Sequence, residues 1–249
     1  MRQLRLVLLL VFSPGLLFAQ TTIRQIQESA RVFNNRGDHD NAVIVLQRGL
    51  KEYPNALELQ KDLAFSLALK RDFVKAKEII EILTDRPDAD IPCFQLAGNV
   101  YKALEEVKEC EKVYRKGLKK FPESGQLYSE LGELLWSNKD GRSIVCWEDG
   151  IRLDPNYAGN YYNAALFYAN SDDVISSILY AEIYINMESR SERAKSMKKM
   201  LLEQYRKLLI SGADLPKKSS PFTIAVKQTL DSASGPALNG LQTQTLTMI

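Results

Sequence analysis

The sequence predicts an all-α protein assembled from stacked pairs of helices. Three observations carry that prediction. The segment Gly49-Leu50-Lys51-Glu52-Tyr53-Pro54 recurs as Gly117-Leu118-Lys119-Lys120-Phe121-Pro122 and again as Gly150-Ile151-Arg152-Leu153-Asp154-Pro155. The first two prolines are 68 residues apart, twice 34, and the next gap is 33, with Arg86-Pro87-Asp88 near the midpoint of the long interval. Between the prolines, apolar residues recur at three- and four-residue spacing, the stripe of an amphipathic helix. Polar turns separate paired helices at Arg36-Gly37-Asp38, Lys70-Arg71-Asp72, Asn138-Lys139-Asp140-Gly141 and Asn170-Ser171-Asp172.

Residues 1–19 are read as a secretory signal peptide. Arg2 and Arg5 precede an apolar run from Leu6 to Ala19, broken only by Ser13, Pro14 and Gly15, with cleavage expected after Ala19. The run is too short to span a hydrocarbon core of about 30 Å, and it contains a helix-breaking proline. The alternative is an uncleaved N-terminal anchor. No cysteine follows the cut, so a lipid anchor is not indicated. Periplasmic or secreted localisation follows, without membrane insertion after cleavage.

The repeats then occupy 20–190. Repeat one, 23–56, reads Ile26, Ala30, Phe33, Ala42, Leu46, Gly49 and Pro54. Repeat two, 57–90, reads Leu63, Ala64, Leu67, Ala76, Ile80 and a shifted Pro87. Repeat three, 91–124, reads Phe94, Ala97, Gly98, Tyr101, Cys110, Tyr114, Gly117 and Pro122. Repeat four, 125–157, reads Tyr128, Leu131, Gly132, Leu135, Trp147, Gly150 and Pro155, with one residue missing from its turn. Repeat five, 158–190, reads Tyr161, Ala164, Ala165, Tyr168 and Ala181 and lacks the closing proline. Ala30, Ala64, Gly98, Gly132 and Ala165 fall where paired helices cross, and a small side chain there lets the backbones approach. One pair cannot bury its own apolar face, so the set is stable only as a stack.

A helix over 191–212 should close the array, with Ser191 as its cap and Ala194, Met197, Leu201, Tyr205 and Leu208 on one face. Its charged face is either a solvated cap or a basic surface for an acidic partner. Residues 213–249, rich in Ser, Pro and Gly, are read as a flexible tail, in which only Phe222 to Leu230 shows a short apolar pattern.

A 34-residue period with small residues on the first helix and a closing proline resembles the tetratricopeptide repeat. The resemblance covers roughly residues 23–188. It implies a right-handed superhelix, or solenoid, of helix pairs with a C-terminal capping helix, whose first helices line a concave, peptide-binding face. Onto that face it puts Arg31, Phe65, Asn99, Lys102, Trp136, Tyr162 and Asn163, together with Gln27, Asn34, Lys61, Gln95, Ser129 and Glu133. Phe65 and Trp136 are the expected aromatic anchors, and Trp147 is a second-helix core residue. The carboxylate clamp of chaperone-binding members is not matched, because its positions hold Gln27, Arg31, Asp62, Pro92 and Leu96.

Composition and motifs argue against chemistry. Lys and Arg number 33 against 31 Asp and Glu, so there is no positive excess to neutralise a nucleic acid's phosphates. Without Arg2 and Arg5 the two signs balance at 31 each. The single histidine, His39, lies in the first turn and is read as a surface residue. Neither G-x-S-x-G, a phosphate-binding P-loop, H-E-x-x-H nor C-x-x-C occurs. Cys93, Cys110 and Cys146 are read as buried thiols rather than a disulfide pair. No catalytic, cofactor or metal residue is assigned. The functional expectation is a non-catalytic protein–protein interaction scaffold of the bacterial cell envelope, holding a protein or peptide on its concave face. The alternatives are a periplasmic chaperone-like assembly factor, an accessory subunit of an envelope complex, or an enzyme drawing its residues from the tail.

Overall fold

The computed structural model describes residues 14–171 and 173–210. Among the described residues the chain forms eleven α-helices: α1 Pro14–Asn35, α2 His39–Glu52, α3 Leu57–Leu69, α4 Phe73–Asp85, α5 Ile91–Ala103, α6 Val107–Lys120, α7 Gly125–Ser137, α8 Ser143–Leu153, α9 Ala158–Ala169, α10 Val174–Met187 and α11 Glu192–Ile210. The first thirteen residues of the expected signal peptide and the expected tail 213–249 lie outside this description. The fold is an all-α stack of helix pairs, α1/α2 to α9/α10, and α1 begins at Pro14, ahead of the start expected for repeat one at residue 23.

The turns show why the period is so regular. Gly37, Arg71, Glu105 and Lys139 all have positive φ, between 58° and 76°, and stand 34 residues apart. Each ends a first helix in the left-handed conformation. The following residue donates its N–H five residues back, as in Asp38 to Phe33 O at 2.9 Å, Asp72 to Leu67 O at 2.9 Å and Asp140 to Leu135 O at 2.9 Å. The left-handed residue itself donates three back, Gly37 to Asn34 O at 3.0 Å, which completes the paired-bond motif of helix C-termini. The next helix is then capped: the side chains of Asp38, Asp72 and Asp173 accept from the N–H groups of Asn41, Lys75 and Ser176. Ser191 caps α11 as expected, its hydroxyl accepting from Ala194 N at 3.1 Å.

The chain divides into two units, Met1–Cys110 and Glu111–Ile249, with the boundary inside α6. In the first unit the core contains Ala30, Leu46, Leu59, Ala64, Ile80, Leu83 and Phe94, all essentially inaccessible. Gly49 is a close-packing site, because a Cβ there would stand 2.9 Å from two atoms of Ile26. Cys93 and Cys110 are buried thiols, donating to Asp90 Oδ1 at 3.1 Å and Gly98 O at 3.4 Å. Burial, with the Asp90 carboxylate beside it, pushes the Cys93 thiol up to about 11.

In the second unit Trp147 is fully buried and lies flat against the helix crossing at Gly132. Its indole N–H donates to Ser129 O at 3.3 Å. The last core joins Tyr161, Ala165, Ile178, Ala181 and Tyr184 to Ala194, Met197 and Leu201 of α11, which covers the end of the stack. Ser143 and Ser177 occupy the small second-helix position held by Ala42, Ala76 and Cys110 in earlier repeats, and all five are completely buried. The Ser177 hydroxyl donates to Ala165 O at 3.1 Å.

Candidate functional site

In the first unit, α1 and α3 lie side by side and enclose a cleft of about 720 Å³. Core formation fixes its walls. Ala30 and Ala64 turn inward, so residues one position further round each helix, Arg31 and Phe65, face the cleft. Phe65 is 49% exposed, and Leu69, one turn later, is 40% exposed. The two make an apolar strip that the core does not cover.

A polar network crosses the cleft beside that strip. Gln27 Nε2 donates to Asp62 Oδ2 at 2.7 Å. Asn34 Nδ2 donates to Ser66 Oγ at 2.9 Å, and that hydroxyl donates to Asp62 O at 2.8 Å. With its amide nitrogen committed to Ser66, Asn34 turns its oxygen to His39 Nδ1 at 3.0 Å. The network thereby joins His39, at the start of α2, to Ser66 and Asp62 of α3 through Asn34. Burial raises the Asp62 carboxyl above its ordinary value, and the Gln27 bond opposes the rise. Arg31 sits at the lip, paired with Glu28 at 2.7 Å, and both side chains are largely solvated. Amides, a carboxyl and an imidazole next to an exposed aromatic ring suit an extended peptide, whose backbone offers donors and acceptors alternately and whose side chains need an apolar seat.

The expected site residues separate as follows. Arg31 and Phe65 line the cleft. Asn99 and Lys102 are exposed on α5 but are not part of its lining. Lys61 is held at 2.5 Å by Asp90, the residue that caps α5.

The second unit holds the other three. Trp136 is half-buried, its ring edge-on to Trp147 with centroids 5.3 Å apart. Tyr162 is half-buried between Tyr184, at 5.1 Å, and the Arg193 guanidinium, 5.3 Å above its ring. Asn163 corrects the expectation. It is only 5% exposed, and its amide donates inward to Ser129 Oγ at 3.1 Å and Glu133 Oε1 at 3.0 Å. It ties α9 to α7 and is not presented to a partner.

Sequence reasoning missed His39, Asp62 and Leu69 as cleft residues. The signal for Leu69 was present, because Phe65 and Leu69 are four apart and lie off the core stripe of Leu63, Ala64 and Leu67. Nothing local marks His39, which joins the site only through Asn34.

No protein-family model matches the chain, and no curated protein matches it in sequence. Solved structures do match. TTC0263, a thermophilic tetratricopeptide repeat protein of Thermus thermophilus, is 14% identical over 72% of this chain and 98% of its own, with a TM-score of 0.57. A tetratricopeptide repeat protein from Parabacteroides merdae ATCC 43184 is 14% identical over 78% of this chain and 80% of its own, with a TM-score of 0.54. MamA from residue 41 onward, of Desulfovibrio magneticus RS-1, is 16% identical over 68% of this chain and 96% of its own, with a TM-score of 0.52. The fold of this chain is that of the tetratricopeptide repeat proteins.

Proposed function

We propose that the chain is a non-catalytic protein-interaction scaffold of the bacterial cell envelope, exported by cleavage after Ala19, and that it holds an extended peptide of its partner in the α1–α3 cleft. The observation that carries this reading is the cleft itself. Phe65 is half exposed, and it lines the cleft together with the Gln27 and Asn34 amides and the Asp62 carboxyl. Interface energy concentrates in such anchors. Export is supported by the register of the array. Repeat one is expected to begin near Ile23, so residues 14–22 extend α1 beyond it, and Ala30 is the first buried residue among those whose burial is described. A cut after Ala19 leaves the helix that builds the cleft in place. Among the described residues no helix is long and apolar enough to cross a membrane.

The test is a detergent-solubilised pull-down with the parent chain and with Phe65→Ala. The parent should recover one or two stoichiometric partners. Phe65→Ala should bind at least about 30-fold more weakly, the scale of a 2 kcal/mol anchor, with its melting temperature unchanged. Undiminished capture by Phe65→Ala refutes the cleft assignment. Recovery of many clients at low occupancy refutes the scaffold in favour of a chaperone-like factor. N-terminal sequencing of cell-derived protein checks export: Gln20 is expected, and an intact Met1 in the cytosolic fraction refutes it.

A further inference from the structure

The outer face of α10 is unlike that of the other second helices. The buried small residues Ala42, Ala76, Cys110, Ser143 and Ser177 mark the same position in successive repeats. Two, six and ten residues on from each lies the face turned away from the core. In α6 those places hold Lys112, Lys116 and Lys120, while α2, α4 and α8 each put at least one charge among the three, Arg48, Glu78 and Asp149. In α10 they hold Leu179, Ile183 and Met187, exposed by 37%, 42% and 40%. The only charged residue of α10 is Glu182, and it accepts the Tyr205 hydroxyl of α11 at 3.1 Å. Asn186, exposed beside them, donates to its own helix at Glu182 O, 2.9 Å away, and an apolar stripe of this kind is normally packed against another surface.

We propose that the chain's own residues 222–230 cover this face. These residues lie outside the described part of the structure, and pattern and reach are what join them to it. Phe222, Val226 and Leu230 repeat every four residues, the spacing of Leu179, Ile183 and Met187. They belong to the first apolar stretch after α11. The tether Ser211–Pro221 has eleven residues and reaches at most about 37 Å extended, against a length of about 21 Å for the fourteen residues of α10. The Tyr205–Glu182 bond sets the second half of α11 beside the middle of α10, so the tether starts close to its target. Short tethers give effective concentrations of order 1 mM, well above a second copy present at micromolar levels. At that effective concentration any intrinsic dissociation constant tighter than about 1 mM leaves the segment docked more than half of the time.

Limited trypsin digestion of the full chain tests this, with an internal reference. Lys218 lies in the tether and Lys227 in the docking segment. Cleavage after Lys227 should be at least about twofold slower than after Lys218, the protection that docking for more than half of the time gives. Ile183→Asp and Phe222→Asp should each bring the two rates to parity with an unchanged far-ultraviolet circular dichroism spectrum. Phe222→Asp alters only the tail and so tests the idea even if Ile183→Asp unfolds the unit. Equal rates in the parent overturn the proposal, as does protection that survives both variants. Protection that grows as the chain is concentrated from about 1 to about 100 μM, where a bimolecular contact fills and a tethered one does not change, overturns it in favour of a second copy.

Discussion

The contact between Gly132 and Trp147 gives the sharpest test of the packing. A Cβ added to Gly132 would stand 2.2 Å from Trp147 Nε1 and 2.6 Å from both Cδ1 and Cε2. The indole cannot swing away. It is completely buried, its N–H is bonded to Ser129 O, and Trp136 and Phe167 stand edge-on with centroids at 5.3 and 6.3 Å. Overpacking a fixed core group costs typically about 1–3 kcal/mol, and so close an approach belongs at the upper end. Alanine regains about 1 kcal/mol over glycine within a helix. The net expectation for Gly132→Ala is therefore a loss of about 2 kcal/mol.

Urea unfolding followed by tryptophan fluorescence reads this directly, because both tryptophans lie in the second unit. With a slope of about 2 kcal/mol per molar, the midpoint should fall by about 1 M. Trp147→Phe removes Nε1 and should relieve the clash. In that background Gly132→Ala should cost at least about 1 kcal/mol less, a coupling within the range for residues in direct contact. A neutral or stabilising Gly132→Ala, or an equal penalty in both backgrounds, refutes the idea that the indole forces glycine at this crossing.

Other variants follow from the same geometry. Trp147→Ala should cost about 3–5 kcal/mol, as for a fully buried large side chain, whereas Trp136→Ala should cost only about 1 kcal/mol through its edge-on contact; differential scanning calorimetry separates the two. At the left-handed turn positions, Lys139→Gly should stabilise by about 1 kcal/mol and Gly37→Ala should destabilise by a similar amount, measured by chemical denaturation. The Tyr205 hydroxyl is raised to about 12, first by burial and then by the Glu182 carboxylate it serves. Its contribution is intact below pH 10, its ordinary value, and is lost as pH rises toward 12. Stability should therefore fall across that window, and Tyr205→Phe should fall less steeply in the same titration.

Much of the fold was legible because the repeat writes the same physics five times. Small residues at the helix crossings, prolines after second helices and polar turns are each weak signals. At a period of 34 they reinforce one another, and the helix pairs follow. Conformation at the turns was less legible. Gly37 announces a left-handed residue, but Arg71, Glu105 and Lys139 occupy equivalent positions without a glycine's signature. There the bonds closing the helix end, and the cap that opens the next, outweigh the local preference of the side chain.

The candidate site was legible only where exposure follows from the core stripe of a single helix. Phe65 is one position past Ala64, and the inward commitment of Ala64 is enough to turn Phe65 out. Asn163 has a similar place in sequence, just before Ala164 and Ala165, yet it is buried. The difference lies on the neighbouring helix: Ser129 and Glu133 of α7 supply a hydroxyl and a carboxylate that satisfy its amide, so burial costs it no hydrogen bonds. Phe65 has no comparable reason to stay covered. His39 depends on a longer chain, since its orientation is set by Asn34, and that of Asn34 by Ser66 one repeat away. Periodicity places helices because it acts within a helix and its immediate pair. A polar site draws its order from partners in the next repeat, so the cleft emerges only once α1 and α3 are side by side.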